Sequence, residues 1–230
     1  MKCSICMSTR NKAEYLGRTL QSIRVQKVPF EYEIIVCDDG STDHTAGICS
    51  KYEVRYIYLE NNTYRNPSFA RNKAFRAARG DIIINQSDEV IHDLPCTVEH
   101  LCDRLYENQF LIATVFNYDV NRQKRLNLYT GVHNRRPFFF LGSLWRKDLY
   151  EIGGCCEDFT GPGFDDDWLG KCLIEGLGLS CNFLADIIGY HQDHPRPANL
   201  AQLVAPSRQL FEQKCREVQE HGWNFNSWEI

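Results

Sequence analysis

Acids and histidines gather at four places in this 230-residue chain, each beside an apolar run or a turn. Glu33-Ile34-Ile35-Val36-Cys37 runs into Asp38-Asp39-Gly40-Ser41-Thr42-Asp43, and Asp81-Ile82-Ile83-Ile84-Asn85 runs into Gln86-Ser87-Asp88-Glu89. A glycine-rich turn, Gly161-Pro162-Gly163-Phe164, leads into Asp165-Asp166-Asp167, and Leu184 to Gly189 precedes Tyr190-His191-Gln192-Asp193-His194. In open α/β sheets ligands bind outside the carboxyl ends of strands. An Asp there can accept a hydrogen bond from a base N–H or a ribose hydroxyl, so the Asp38-Asp39 turn suggests a nucleotide pocket. The same residues also fit a plain strand-to-helix turn, with Gly40 relieving the backbone and Ser41 or Asp43 capping the next helix. Likewise Asp88 and Glu89 could simply end a strand, and three acids at 165–167 could compensate a helix dipole.

The elements around these residues alternate. Cys3-Ser4-Ile5-Cys6-Met7 reads as a buried strand, followed by a Ser8-Thr9-Arg10-Asn11 turn and a helix from about Lys12. Asn11 and Glu14 form a capping pair in this reading, and Leu16, Leu20 and Ile23 share one helical face. Val54 to Leu59 alternates as a third strand, Asn66-Pro67-Ser68 opens a helix that Gly80 ends, and Asp81 to Asn85 is a fourth strand. Beyond, the pattern predicts a helix over Thr97–Asn108, a strand over Phe110–Phe116 and an irregular, mobile polar loop over Asp119–Arg136. Ser207 to His221 reads as an amphipathic helix, followed by Trp223, Phe225 and Trp228, which should pack back on the domain, meet another subunit or close as a flap.

Composition narrows the class. A chain of this length can build one sizeable core. No apolar run approaches the ~18 residues of a membrane span, and the N-terminus lacks a signal-peptide core, so the expectation is a cytoplasmic protein. The net charge of −4 with dispersed basic residues argues against nucleic acid. Arg122-Gln123-Lys124-Arg125 and Arg135-Arg136 are local clusters that could meet phosphate or simply be solvated. The eleven cysteines sit largely in apolar runs, as free thiols in a reducing compartment would; Cys3-x-x-Cys6 lacks a second pair at zinc-finger distance.

The order of these motifs, from Ser4 to about His194, resembles the family 2 glycosyltransferases. The match lies in the opening strand and turn Ser4–Asn11, in Asp38–Asp43, in Ala70-Arg71-Asn72 and in the acidic turns at 86–89 and 165–167. The resemblance implies an α/β fold: a single GT-A-like, Rossmann-like domain with a mostly parallel central sheet flanked by helices. It divides residues 1–205 into a nucleotide-binding half, 1–93, and an acceptor and catalytic half, 94–205, with 206–230 a helix and aromatic tail of the same domain.

The activity it implies is inverting transfer of a sugar from a nucleotide-sugar donor, a UDP-sugar, to a hydroxyl of a saccharide, lipid-linked or protein acceptor, as in polysaccharide biosynthesis. Thr9, Arg10, Asp38 or Asp39, Arg71, Gln86 and Ser87 would then contact the donor, Arg71 at its diphosphate. Asp88 with His191 or His194 would hold Mn²⁺ or Mg²⁺, and Asp166, with Asp165 next, would take the acceptor proton. Gln86 departs from the family's Asp-x-Asp, and a Gln anchors a cation less well than a carboxylate. That departure supports a competing class, a binding module that holds nucleotide or sugar without turnover. Phe138 to Lys147 resembles the strand and turn before the Gly153-Gly154 bend, and the sequence is compatible with a homo-oligomer.

Overall fold

The structure, a computed structural model, describes residues 2–229. In chain order the elements are β1 (Cys3–Thr9), α1 (Ala13–Arg24), β2 (Tyr32–Asp38), α2 (Thr45–Lys51), β3 (Arg55–Tyr58) and α3 (Ser68–Ala77). Then come β4 (Ile82–Gln86), β5 (Val90–His92), α4 (Thr97–Asp103), β6 (Gln109–Asp119), β7 (Lys124–Thr130), β8 (Leu141–Trp145) and α5 (Arg146–Glu151). The chain closes with α6 (Asp165–Lys171), a π-helical turn (Cys172–Gly176), β9 (Ser180–Gln192) and α7 (Leu200–His221).

All nine strands form one sheet, ordered β3-β2-β1-β4-β8-β6-β9-β5, with β7 on β6. The first four are parallel, which is why β1, β2 and β4 read as nearly unbroken apolar runs: both of their faces are covered. From β4 onward β8 pairs antiparallel on both sides, while β6 and β9 run parallel. One core lies between the sheet and α1, built on Leu16, Leu20, Ile23, Ile82 and Ile84. The other lies beneath α3, α5 and α6, around Phe75, Phe110, Phe139 and Leu169.

Several sequence expectations are corrected. The helix from Thr97 stops at Asp103 instead of Asn108, and β6 extends to Asp119. The polar segment 119–136 is not an irregular loop, because Lys124–Thr130 pairs antiparallel with β6 as a hairpin strand. Lys124 to Asn127 are exposed, Leu126 included, so this strand buries no apolar face there and sits among charged residues in the sequence. Asn11 does not cap α1; its Oδ1 accepts the Thr42 N–H at 2.8 Å. Asp43 takes both capping tasks, accepting the Ala13 N–H at 3.0 Å through Oδ2 and the Thr45 N–H at 3.0 Å through Oδ1. The division at 205/206 falls inside α7, which starts at Leu200 and runs through Pro206.

The aromatic tail packs back on its own domain. Trp223, Phe225 and Trp228 lie against the second core, and the Trp228 N–H donates to the Tyr150 carbonyl at 2.8 Å. All eleven cysteines are free thiols, Cys3 and Cys6 buried among them. No helix among the described residues is long and apolar enough to cross a membrane.

Between β6 and β9 the register breaks once: Ala113 faces Leu184, but the next residue, Thr114, faces Ile188. The residues between, Ala185 to Ile187, bulge from the ladder, and the pairing then continues to place Asn117 opposite His191.

Candidate active site

A cavity of about 440 Å³ opens at the carboxyl ends of β1, β2 and β4. Into it the fold brings Thr9 and Arg10 from the end of β1, Asp39 from the turn after β2, Arg71 from α3, and Ser87, Asp88 and Glu89 from the turn after β4. His191 closes it from β9. Parallel strands that stop at one edge make this convergence unavoidable.

Two expected donor contacts lie elsewhere. Asp38 is buried, accepting the Ser41 N–H and the Tyr56 hydroxyl at 2.7 Å each, and does not line the cavity. Between the two acids of the turn, Asp39 is the one presented. The Arg65 guanidinium grips it with Nε 3.0 Å from Oδ1, and Asn61 donates to Oδ2 at 2.9 Å. Gln86 is also withdrawn: its Nε2 donates to the Val90 carbonyl at 2.9 Å and its Oε1 meets His92 Nε2 at 2.9 Å. The substitution that set Gln86 apart in sequence therefore stiffens the β4–β5 turn from behind.

A group that sequence reasoning missed is Glu89. Val90 pairs with His191 across β5 and β9, and the Gln192 N–H donates to the Glu89 carbonyl at 3.0 Å, so β9 carries His191 over Glu89. His191 Nε2 lies 3.4 Å from Glu89 Oε2, and His194 Nε2 lies 3.3 Å from Oε1. One ligand atom from each of Glu89, His191 and His194 falls within 4.8 Å of the others. Tyr129 and Phe140 hold the His191 ring edge-on, each with its centroid 5.1 Å away, and His191 Nδ1 is buried without a partner. Two imidazoles and a carboxylate suit a divalent transition ion, so this donor set fits the metal that the resemblance implies. The signal in sequence is the acid directly after Asp88, which a strand end explains equally well.

Charge at this turn is finely divided. Burial and the neighbouring Glu89 carboxylate push Asp88 well above the usual carboxylate range. Burial also opposes the Glu89 charge, but hydrogen bonds from His191 and His194, with the Lys12 ammonium, outweigh it and hold Glu89 low. The same Glu89 bond raises His194. Asp88 lines the cavity beside this cluster without belonging to it.

Asp165 and Asp166 reach the cavity through Arg71, whose Nη1 lies 2.7 Å from Asp166 Oδ1 and 3.2 Å from Asp165 Oδ2. Burial pushes Asp166 up to about 6, against the pull of Arg71 and with the help of the Asp165 charge. Asp167 turns outward to Arg136, at 2.9 Å. The turn before them is unusual in its backbone. Phe164, the residue preceding α6, has φ +64°, a left-handed conformation that costs a bulky L-residue about 1–2 kcal/mol.

A second cavity, about 360 Å³, lies under the tail between Gly153–Asp158 and Lys214. None of its lining side chains has an unpartnered buried polar atom among the described residues, so nothing there calls for a ligand.

Comparison with known proteins places this geometry. The sequence model of Glycosyl transferase family 2 matches residues 4–165. Validoxylamine A glucosyltransferase of Streptomyces hygroscopicus subsp. jinggangensis is 36% identical over 87% of this chain and 58% of its own length. The uncharacterized glycosyltransferase YfnE of Bacillus subtilis is 28% identical over 85% of this chain and 66% of its own. The chain thus spans less than two thirds of these curated relatives.

Among solved structures, Staphylococcus aureus TarS 1-349 in complex with UDP-GlcNAc superposes with a TM-score of 0.68, at 20% identity, over all of this chain and 68% of that one. The mannosyltransferase PcManGT of Pyrobaculum calidifontis, in complex with GDP-Man and Mn²⁺, has a TM-score of 0.68 at 17% identity, over 95% of this chain and 64% of that one. These likenesses are in fold, and they agree with the strand order and the strand-end cavity. With the family match covering well over half of its length, the chain belongs to glycosyl transferase family 2.

Proposed function

We propose that this chain catalyses inverting transfer of a glycosyl group from a UDP-sugar to an acceptor hydroxyl. The observation that carries the reading is the shared Arg71: one guanidinium lines the donor cavity and also binds Asp165 and Asp166. Nucleotide contacts and a candidate base therefore meet at one side chain. The TarS structure with UDP-GlcNAc and the validoxylamine A glucosyltransferase support sugar transfer by chains of this kind.

In this mechanism Asp39, fixed by Arg65 and Asn61, accepts from the uracil or ribose, with Thr9 and Ser87 on the cavity wall beside it. Arg10 has a buried, unpartnered Nη1 in the same cavity and donates to the donor, as Arg71 does to its diphosphate. Glu89, His191 and His194 would hold a divalent cation, Mn²⁺ as in the PcManGT complex or Mg²⁺, with Asp88 alongside. Such a cation, when bound, neutralises charge gathering on the departing diphosphate. Asp166 accepts the acceptor proton as that oxygen attacks the anomeric carbon opposite the leaving group. Its raised pKa brings it nearer the operating pH, where a general base works best.

One observation favours the alternative, a nucleotide-binding module without turnover: the amide of Gln86 is spent on Val90 and His92, so the first position of the family's acidic motif supplies no ligand. The experiment is calorimetric titration with UDP, with and without Mn²⁺, followed by measurement of UDP release from UDP-glucose. Binding that tightens with Mn²⁺ and then turnover supports the transferase. Binding without any release from UDP-glucose, UDP-GlcNAc or GDP-mannose supports the module, and no nucleotide binding refutes both.

A further inference from the structure

The family match ends at Asp165, yet the turn presenting Asp165 and Asp166 is held by an element that begins 35 residues later. Phe164 cannot keep its left-handed backbone by local preference, since a residue with a Cβ disfavours that region. Its surroundings have to impose it. What surrounds it is α7. The Phe164 ring meets Phe211 at 5.3 Å between centroids, and the Arg208 guanidinium lies over it at 5.6 Å. Phe211 also meets Trp168, one turn further along α6, at 6.2 Å edge-on.

The other end of the turn is held just as closely. A Cβ on Gly161 would come within 2.9 Å of the Leu203 carbonyl and 3.1 Å of Ser207 Oγ, so only glycine lets the strands of chain approach there. Ser207 is the fully buried residue of a helix whose other residues are exposed or half-buried, and it sits at this contact. Asn66 fixes the Gly161 carbonyl from the opposite side at 2.8 Å. Pro206, which supplies no N–H, lies inside α7 next to Ser207 and removes one backbone hydrogen bond of the helix there.

We propose that α7 positions the catalytic carboxylates, with Phe211 as the positioning residue that keeps Phe164 left-handed and Asp166 aimed. The proposal rests on the reading of Asp166 as the base. Phe211 touches neither donor nor acceptor in this scheme; it acts through Phe164.

The test uses the full chain with Phe211→Ala, Phe211→Tyr and Phe164→Gly. Hydrogen exchange is read over residues 161–168, and UDP titration and UDP release from UDP-glucose are read beside it. Phe211→Ala is expected to speed exchange at 161–168 at least tenfold with the nucleotide half unchanged. It should lower kcat by on the order of a hundredfold, the scale of a small misplacement of a reacting group, at unchanged UDP affinity. Phe211→Tyr, which keeps the ring, restores both. Phe164→Gly loses kcat as Phe211→Ala does, although glycine tolerates the backbone. In an Asp166→Asn background Phe211→Ala adds no further loss.

Unchanged exchange at 161–168 would overturn the proposal, as would faster exchange with normal kcat per folded molecule, or a loss that multiplies fully onto that of Asp166→Asn. Full turnover by Asp166→Asn would remove the base assignment instead, while the exchange data still report whether α7 holds the turn.

Discussion

The two acidic clusters of this cavity are built alike and balanced differently. After β4, Glu89 faces Lys12 and two imidazoles with Asp88 beside it; before α6, Asp165 and Asp166 face Arg71. A neutral imidazole is a metal ligand as well as a partner for a carboxylate, so the first cluster can take a metal dication as its counter-charge. A guanidinium never loses its charge, so the second is freed only when something more anionic draws Arg71 away. The donor diphosphate is that anion in the proposed reaction. The contrast teaches that similar acids acquire different chemistry from the permanence of the cations beside them.

The largest effect should come from the Arg71 side. Asp166→Asn is expected to lower transfer by about 10²–10⁴-fold, the usual contribution of a general base, while UDP affinity stays close to that of the parent protein. Equal losses of UDP binding and turnover would show that the two clusters are not separable. On the imidazole side, Glu89→Gln or His191→Ala should weaken Mn²⁺ by more than the ~10–100-fold that loss of an outer-shell partner costs, measured by Mn²⁺ electron paramagnetic resonance. Asp166→Asn should leave that titration untouched.

A smaller effect sharpens the assignment of charge. Because burial raises Asp166 to about 6, and a base must be unprotonated to act, turnover should fall as the pH drops through about 6 and level above it. A rate profile flat from pH 5 to 8 would contradict this. The last effect is on stability, not turnover, and lies behind the first cluster. Burial pushes His92 down to about 3, so the folded protein keeps it neutral while the unfolded chain protonates it. Its contribution is complete above roughly pH 6.5 and is lost as pH falls toward 3, at up to ~1.4 kcal/mol per pH unit. His92→Gln should flatten that part of a stability-versus-pH series obtained by urea unfolding.

The parallel half was legible because Ile34 to Val36 and Ile82 to Ile84 are buried on both faces and followed at once by polar turns. The acids of those turns were legible for the same reason, though not which ones face the ligand. Asp38 and Asp39 differ by one residue, and a strand end sends neighbours to opposite sides. Gln86 looked like a weakened ligand because its partner His92 lies across a turn that sequence spacing cannot fold. β7 is hard to read because its Leu126-Asn127-Leu128 alternation is short and follows a charged run, and Glu89 because its role depends on β9, a hundred residues away. The hold of α7 on Phe164 is invisible for a related reason: nothing in a sequence marks a left-handed phenylalanine.

The bulge at Ala185 to Ile187 has an implication for how this chain can vary in length. Side chains alternate along a strand, so a single-residue insertion or deletion carried past Ile188 would seat Tyr190 or Gln192 opposite Val90 and turn the imidazole to the other face. The bulge sits immediately before that stretch, where extra length can be gathered without being passed on. Natural variants should therefore tolerate indels within 185–187 and be intolerant of them between Ile188 and His191, which makes the bulge a buffer for the reading frame of the site.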